Sequence, residues 1–281
     1  MNIMVTGANG GYGHDALQYL QKLAPNDNLY GLVRSEKKGA GLKKHGINLR
    51  IGNFSDLDSM KSALKGIDRL LFVSVAIPNI QKNVVDAAVY NGVKYIAYTS
   101  ILDPQFFKFG LEINHAETER WIKDSGIAHT FLRNSWYLEI SQALFDYAKK
   151  TKQFLYFSDK GKTSFALKAE YAKAGAQVIT HPSDQEILSL SRKPVTYQEL
   201  GLATQEALGE KLDIKQVSAT EFESKLQEAG IEPQQIMLTK AYQTYTSKGN
   251  NGEEKADQTT FDKVIGQPLP RLSDAIKRLT E

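Results

Sequence analysis

The chain has 281 residues, enough for one large domain or up to two of ordinary size. Apolar residues make up 41% and charged residues 24%, as in a globular protein with a sizeable core, and 35 Lys and Arg against 32 Asp and Glu leave only +3. That charge is too small to point to nucleic acid or a membrane surface. The absence of cysteine excludes disulfides, thiolate metal sites, iron–sulfur clusters and cysteine nucleophiles.

In chain order, Ile3 to Thr6 reads as a strand, and Ala16, Leu17, Leu20 and Leu23 then share one helical face. Leu29 to Val33 is a second strand, followed by a polar helix to about His45, and Ile47 to Ile51 is a third. Asp56 opens a helix through Leu64. Arg69 to Ala76, with the run LLFVSVA, is the fourth strand, and a helix from Pro78 to Tyr90 follows it. Tyr95 to Thr99, a helix over Glu112 to Lys123, and Ile127 to Leu132 complete six strand–helix units. Strands apolar on both faces and separated by helices predict a parallel sheet covered on each side, an α/β doubly wound Rossmann fold.

Beyond residue 150 the rhythm loosens. Phe154 to Phe157 and Glu186 to Leu190 read as strands around a helix from Lys168 to Thr180. After Pro194 short helices dominate, with a polar break at 247–260 that predicts a mobile loop. The expected division is a nucleotide-binding domain over 1–190, with 135–165 partly lining a substrate cleft, and a smaller, mainly helical C-terminal lobe over 191–281. No apolar run approaches the ~20 residues of a membrane span. The N-terminus leads straight into a strand without a basic segment before an apolar one, so a cytoplasmic protein is expected.

The first strand runs into Gly7, Ala8, Asn9, Gly10, Gly11, Tyr12 and Gly13. In the spacing Gly7-x-x-Gly10-x-x-Gly13, the first glycine can make the tight turn. The second admits a pyrophosphate close to the backbone, and the third lets the helix pack on the sheet. The register Gly11-x-Gly13-x-x-Ala16 also fits the dinucleotide pattern, but Gly7 directly follows the strand and is preferred. Free N–H groups at the helix start favour an anion there.

An NAD site of this kind has an acid ~20 residues beyond the glycines, on the ribose 2′-hydroxyl. Here the second strand ends in Arg34, and from Arg34 to Arg50 six Lys or Arg face one Glu. A guanidinium can stack on adenine and pair with a 2′-phosphate, so NADPH is expected over NADH. Lys43 and Lys44 fit a solvated helix face equally well. Asp56 suits either the adenine amino group or a helix cap.

Ligands bind such sheets at the carboxyl ends of the strands. Ser74, Val75 and Ala76 end the fourth strand and would admit the cofactor ribose, and Ser100 ends the fifth with a hydroxyl. Asn134, Trp136 and Tyr137 follow the sixth, where Asn can orient a carboxamide and aromatic rings can wall a flat substrate or simply pack the next helix.

The segments TGANGGYG, VR at the end of the second strand, GVKYIAYTS at 92–100, HAETE at 115–119, FLRNSWY at 131–137 and KVIGQPLPRLSDAI at 263–276 resemble the NmrA-like atypical short-chain dehydrogenases. Within them the chain is most similar to NADPH-dependent type-2 quinone oxidoreductases, and next to triphenylmethane reductases. The resemblance implies a cofactor contact at Thr163, Ser164 and Phe165.

Most short-chain dehydrogenases place a Tyr-x-x-x-Lys pair on the helix after the fifth strand. Tyr90 to Lys94 and Tyr156 to Lys160 match the spacing but fall outside that helix, which instead offers His115 and Glu119 on one face. His115 is a candidate polar group beside the nicotinamide; an Asn114-x-x-Glu117 capping box would instead make it an ordinary surface residue. With His115, Ser100, Asn134 and Tyr137 as candidate catalytic residues, the expected activity is NADPH-dependent hydride transfer to a small quinone-like or other conjugated acceptor. A non-catalytic NADP(H) sensor is the alternative, and a sugar-nucleotide epimerase ranks lower because it needs the Tyr/Lys pair. No metal site is expected.

Overall fold

The computed structural model describes all 281 residues. In chain order it runs β1 (Asn2–Val5), α1 (Gly11–Leu23), β2 (Asn28–Val33), α2 (Glu36–Lys44), β3 (Asn48–Ile51), α3 (Leu57–Ala63), β4 (Arg69–Phe72) and α4 (Gln81–Tyr90). There follow β5 (Tyr95–Ile101), α5 (Leu111–Asp124), β6 (Ala128–Asn134), β7 (Trp136–Tyr137), α6 (Gln142–Thr151), β8 (Gln153–Tyr156), β9 (Phe165–Ala166) and α7 (Lys168–Thr180). The remainder is β10 (Ile187–Leu190), α8 (Tyr197–Leu208), β11 (Asp213–Gln216), α9 (Ala219–Glu228), α10 (Pro233–Ser247), α11 (Thr259–Ile265) and α12 (Leu272–Thr280).

Seven strands form one sheet in the order β10-β6-β5-β4-β1-β2-β3, and every neighbouring pair is parallel. This is the expected doubly wound α/β fold. The order reverses between β1 and β4, so the loops leaving their carboxyl ends diverge, and ligands bind at such a point. All seven residues of β5 are buried, as a strand covered on both faces requires. Met4, Leu32, Phe72, Tyr98 and Phe131 belong to one core cluster of this sheet.

Two boundaries differ for local reasons. β4 stops at Phe72 rather than Ala76, because the backbone of residues 73–75 turns to side-chain partners instead of a neighbouring strand. α4 begins at Gln81 rather than Pro78, because Asn79 has φ +66°, outside the helical region.

The chain separates into two compact units, and not at residue 190. The first comprises 1–134, 168–190 and 260–267; the second comprises 135–167, 191–259 and 268–281. Residues 135–167 leave the expected nucleotide-binding domain because their partners lie later in the chain: β8 pairs with β11, and Thr163 bridges to Val195. The second unit carries α6, α8, α9, α10 and α12 with two short parallel pairs, β11-β8 and β7-β9. Two of its helices begin on legible caps: Thr196 and Glu199 form a reciprocal capping box on α8, and Ser218 caps α9.

The polar stretch 247–260 is not the mobile loop its composition suggests. Asn251 and Glu253 are buried. The Glu253 carboxylate accepts hydrogen bonds from Thr163 Oγ1 at 2.6 Å, the Ser164 N–H at 3.0 Å and the Tyr245 hydroxyl at 3.1 Å.

Candidate active site

The glycine loop joins β1 to α1. Gly7 sits at φ +58°, and its carbonyl accepts from the Gly10 N–H at 2.9 Å. A Cβ on Gly13 would stand 2.4 Å from that carbonyl oxygen, so only glycine lets α1 approach the turn so closely. A Cβ on Gly11 would meet only Lys168 Cδ, at 3.5 Å, an ordinary contact. Sterics therefore select the register Gly7, Gly10, Gly13. Gly7, Asn9, Gly10 and Gly11 face solvent, whereas Ala8 is buried. Gly31 on β2 makes room for Ala8, whose Cβ would lie 2.9 Å from a side chain there. α1 starts with no side-chain cap and no acid in its first turn, which leaves its N-terminal dipole to an external anion. The Tyr12 side chain is no part of this cradle. Its ring is buried and its hydroxyl donates to the Tyr171 carbonyl at 3.0 Å, over the bare face of Gly175.

Arg34 stands exposed just past β2, and no acid engages it. Lys43 and Lys44 occupy the last turn of α2, exposed and complementary to the helix dipole. Asp56 is the cap of α3, its carboxylate accepting from the Ser59 N–H at 3.0 Å. Of its two readings, the cap is the one seen.

The loop after β4 is held by polar bonds invisible in the sequence. Ser74 N–H donates to Thr99 Oγ1 at 2.8 Å, and Thr6 Oγ1 donates to the Val73 carbonyl at 2.9 Å. The Val75 N–H donates to Gln81 Oε1 at 3.0 Å, and the Val75 carbonyl accepts from Asn114 Nδ2 at 2.8 Å. Gln81 is fully buried. Residues 73–75 are thus fixed at the end of the sheet, whereas Ala76 beside them is exposed.

On α5 the capping reading fails. The helix begins at Leu111 behind Gly110 in the left-handed region, which puts Asn114 and His115 inside it, both buried. His115 Nδ1 lies 2.9 Å from the Tyr98 hydroxyl. Burial pushes its pKa down to about 4, against an opposing pull from Glu119. Nor do His115 and Glu119 pair. Glu119 accepts from Ser100 Oγ at 2.6 Å and takes a two-pronged bond from Arg133, at 2.9 and 2.7 Å. That bond holds the Arg133 guanidinium above its usual range. Since an ionised carboxylate only accepts, the Ser100 proton points at Glu119. Ser100, Glu119 and Arg133 come together here, and of the three only Arg133 was not singled out from the sequence.

Asn134 ends β6 with both side-chain polar atoms buried and unpartnered, and Asn114 Oδ1 is in the same state. Such buried groups ordinarily find a partner. Of the two Tyr-x-x-x-Lys matches, Tyr90 is exposed at the end of α4 while Lys94 pairs with Asp68 at 3.3 Å, and Tyr156 is buried in β8.

The remaining candidates belong to the second unit. Trp136 packs edge-on against Tyr242 and Tyr245, with centroids 4.8 and 5.7 Å apart, and Tyr137 beside it is half-buried. Thr163, Ser164 and Phe165 are buried. The Thr163 hydroxyl is taken by Glu253, Ser164 Oγ accepts from the Arg192 N–H at 2.9 Å, and Phe165 packs against Tyr197. Their side chains are committed inside this unit. No group of three or more His, Asp or Glu is arranged to hold a metal, and no helix is long and apolar enough to cross a membrane.

Residues 7–158 match a family described as NAD(P)H-binding. The chain is 31% identical to quinone oxidoreductase 2 of Escherichia coli over 99% of its own length and 98% of that protein. The crystal structure of that oxidoreductase complexed with NADPH superposes with a TM-score of 0.84, covering 99% of this chain and 100% of that one. Triphenylmethane reductase of Citrobacter sp., complexed with NADP(H), is 27% identical with a TM-score of 0.87 over the full length of both chains. An NmrA-like family domain-containing oxidoreductase of Aspergillus flavus is 25% identical over 79% of this chain and 76% of its own.

Proposed function

Because the chain belongs to the NAD(P)H-binding, NmrA-like family, we propose that it is an NADPH-dependent reductase that passes hydride to quinone-like or other conjugated acceptors. The observation that carries this reading is the polar face of α5. His115 is a neutral imidazole at pH 7, and Glu119 is saturated by Ser100 and Arg133. Neither is an acid poised to hand over a proton. An acceptor whose reduced oxyanion is delocalised does not need one, and positioning of the reactants face to face then accounts for most of the rate.

The residues present fit the cofactor. The exposed backbone of Gly7, Asn9, Gly10 and Gly11 with the uncapped start of α1 would hold the pyrophosphate. Arg34 would hold the 2′-phosphate, and the unpartnered Asn134 carboxamide offers a donor and an acceptor to the nicotinamide amide. When bound, NADPH supplies the hydride. Ser74 and Val75, tied down by Thr99 and Gln81, would form a stiff rim for the ribose, with Ala76 beside them. Ser100, with its proton on Glu119, can accept a hydrogen bond but has no proton free for a substrate oxyanion, so stabilisation of that oxyanion falls to His115.

The test is NADPH oxidation, followed at the nicotinamide absorbance, against a panel of quinones, azo dyes and enones. Turnover with conjugated acceptors and none with simple ketones supports the reading. Tight NADPH binding with no turnover on any acceptor would replace it with the sensor.

A further inference from the structure

A buried hydrogen-bond relay runs from the backbone of the β4 loop to His115, and the direction of each bond follows from the one before it. The Val75 N–H can only donate, so the Gln81 atom that receives it, at 3.0 Å, is the carbonyl oxygen. This fixes the Gln81 amide. Its NH2 group then faces the Tyr98 hydroxyl at 3.1 Å and Thr118 Oγ1 at 2.8 Å, and donates to both. Thr118 directs its own proton to the Asn114 carbonyl at 2.8 Å. Tyr98 oxygen, already receiving from Gln81, has a single proton, and His115 Nδ1 stands 2.9 Å away to accept it. Thr118 Oγ1 is also a hydrogen-bonding neighbour of the Tyr98 hydroxyl, but its own proton is on the Asn114 carbonyl and one lone pair is taken by Gln81, whereas His115 Nδ1 has no other partner.

From this we infer that Gln81 and Tyr98 are positioning residues that lock His115 as the neutral Nε2–H tautomer, a hydrogen-bond donor aimed away from the relay. Nδ1 accepts, so the proton of the neutral ring resides on Nε2, which makes no bond within the chain and is not sealed from solvent. The inference rests on the reading of His115 as the group facing the acceptor's oxyanion. It specifies what His115 does there: it donates a hydrogen bond without surrendering its proton, and the proton that neutralises the product comes from water. Acceptors whose oxyanion must be protonated in the same step as hydride arrival are therefore poor substrates. A neutral imidazole acting as an electrophile in this way is chemically competent.

The relay can be inverted without changing its shape. In Gln81→Glu with its carboxyl ionised, one oxygen still accepts from Val75 N–H, but the other now accepts from Tyr98 instead of donating to it. Tyr98 must then receive from His115, and the imidazole proton moves to Nδ1. The experiment is two-bond 15N–1H correlation NMR of protein labelled at histidine nitrogen, recorded on the full chain at neutral pH with neither cofactor nor acceptor. The wild type is expected to show the Nε2–H pattern for His115, assigned by its loss in His115→Gln, and Gln81→Glu the Nδ1–H pattern. An Nδ1–H pattern in the wild type, or an unchanged Nε2–H pattern in a folded Gln81→Glu whose carboxyl infrared absorption shows it ionised, overturns the relay; if that variant does not fold or stays protonated, the wild-type spectrum alone decides. A merely structural Gln81 would leave the tautomer where it was. Failure of the hydride-transfer reading shows separately, as absent NADPH oxidation with the Nε2–H pattern intact. Where turnover is present, Gln81→Glu is expected to lower kcat about as much as His115→Ala, and the double variant no further, because both remove the same donor.

Discussion

Replacing His115 with Gln removes an imidazole that burial holds at a pKa of about 4, against an ordinary 6.5. A group whose folded pKa lies below its unfolded value stabilises the fold fully above the unfolded pKa. It loses that contribution as pH falls towards the folded one. A gap of about 2.5 units, at about 1.36 kcal/mol per unit, corresponds to about 3 kcal/mol, nearly all of it lost between about pH 7 and pH 4. No large discount for solvent applies, since the ring is only 8% exposed. Urea unfolding of the wild type and His115→Gln, each at about pH 7.5 and about pH 4.5, isolates this contribution, because the carboxylates that titrate over the same interval are common to both proteins. The wild type is expected to lose about 2–3 kcal/mol more than the variant on acidification. Equal losses would refute the reasoning, for they would mean that the native ring is either solvated or already charged.

Arg34→Ala is expected to weaken NADPH by about 1–3 kcal/mol and NADH far less, since it removes a charge-assisted pair to the 2′-phosphate; titration calorimetry with both cofactors checks it, and equal losses would remove Arg34 from that role. Gly13→Ala pushes a methyl into the Gly7 carbonyl and should abolish NADPH binding and lower stability by about 1–3 kcal/mol, read by calorimetry and thermal melting. His115→Ala is expected to lower kcat on a good quinone by less than about 10²-fold; a loss of about 10⁴-fold with NADPH affinity intact would mean that His115 is a true general acid. Glu253→Ala leaves Thr163 Oγ1, the Ser164 N–H and the Tyr245 hydroxyl without their acceptor and should cost at least about 3 kcal/mol in urea, whereas Glu253→Gln, which keeps an acceptor oxygen, should cost clearly less.

What could be read from the sequence was local. The glycines that turn β1 into α1, the covered strand β5 and the whole of α7 are each fixed by a few adjacent residues, and the expected bounds of α7 coincide with those observed. The groups that tune the candidate site were not legible. Gln81 lies in the first turn of a helix, where Gln is unremarkable, and its partners Val75, Tyr98 and Thr118 stand 6, 17 and 37 residues away. Arg133 falls in the half-buried part of a strand, and nothing but the fold brings Glu119 to it. Asn114 misled because the Asn-x-x-Glu spacing of a cap occurs equally within a helix, and Gly110 had already started the turn. Segment 247–260 misled through composition: a glutamate in a run of polar residues looks solvated until donors from 135, 163, 164 and 245 are seen to close on it.

That closure sets an order of events during synthesis. The donors at 163 and 164 are made early, and their acceptor follows 90 and 89 residues later. At about 5–20 residues per second, the gap lasts several seconds or more. Throughout it the Ser164 N–H and the Thr163 hydroxyl must stay in water, because burying them unpaired is unfavourable. The second unit therefore cannot reach its native packing on a partly made chain, however complete β7, α6, β8 and β9 already are. A stop after residue 190 would not release a truncated but sound nucleotide-binding half; it would leave residues 135–167 waiting for an acceptor that never comes.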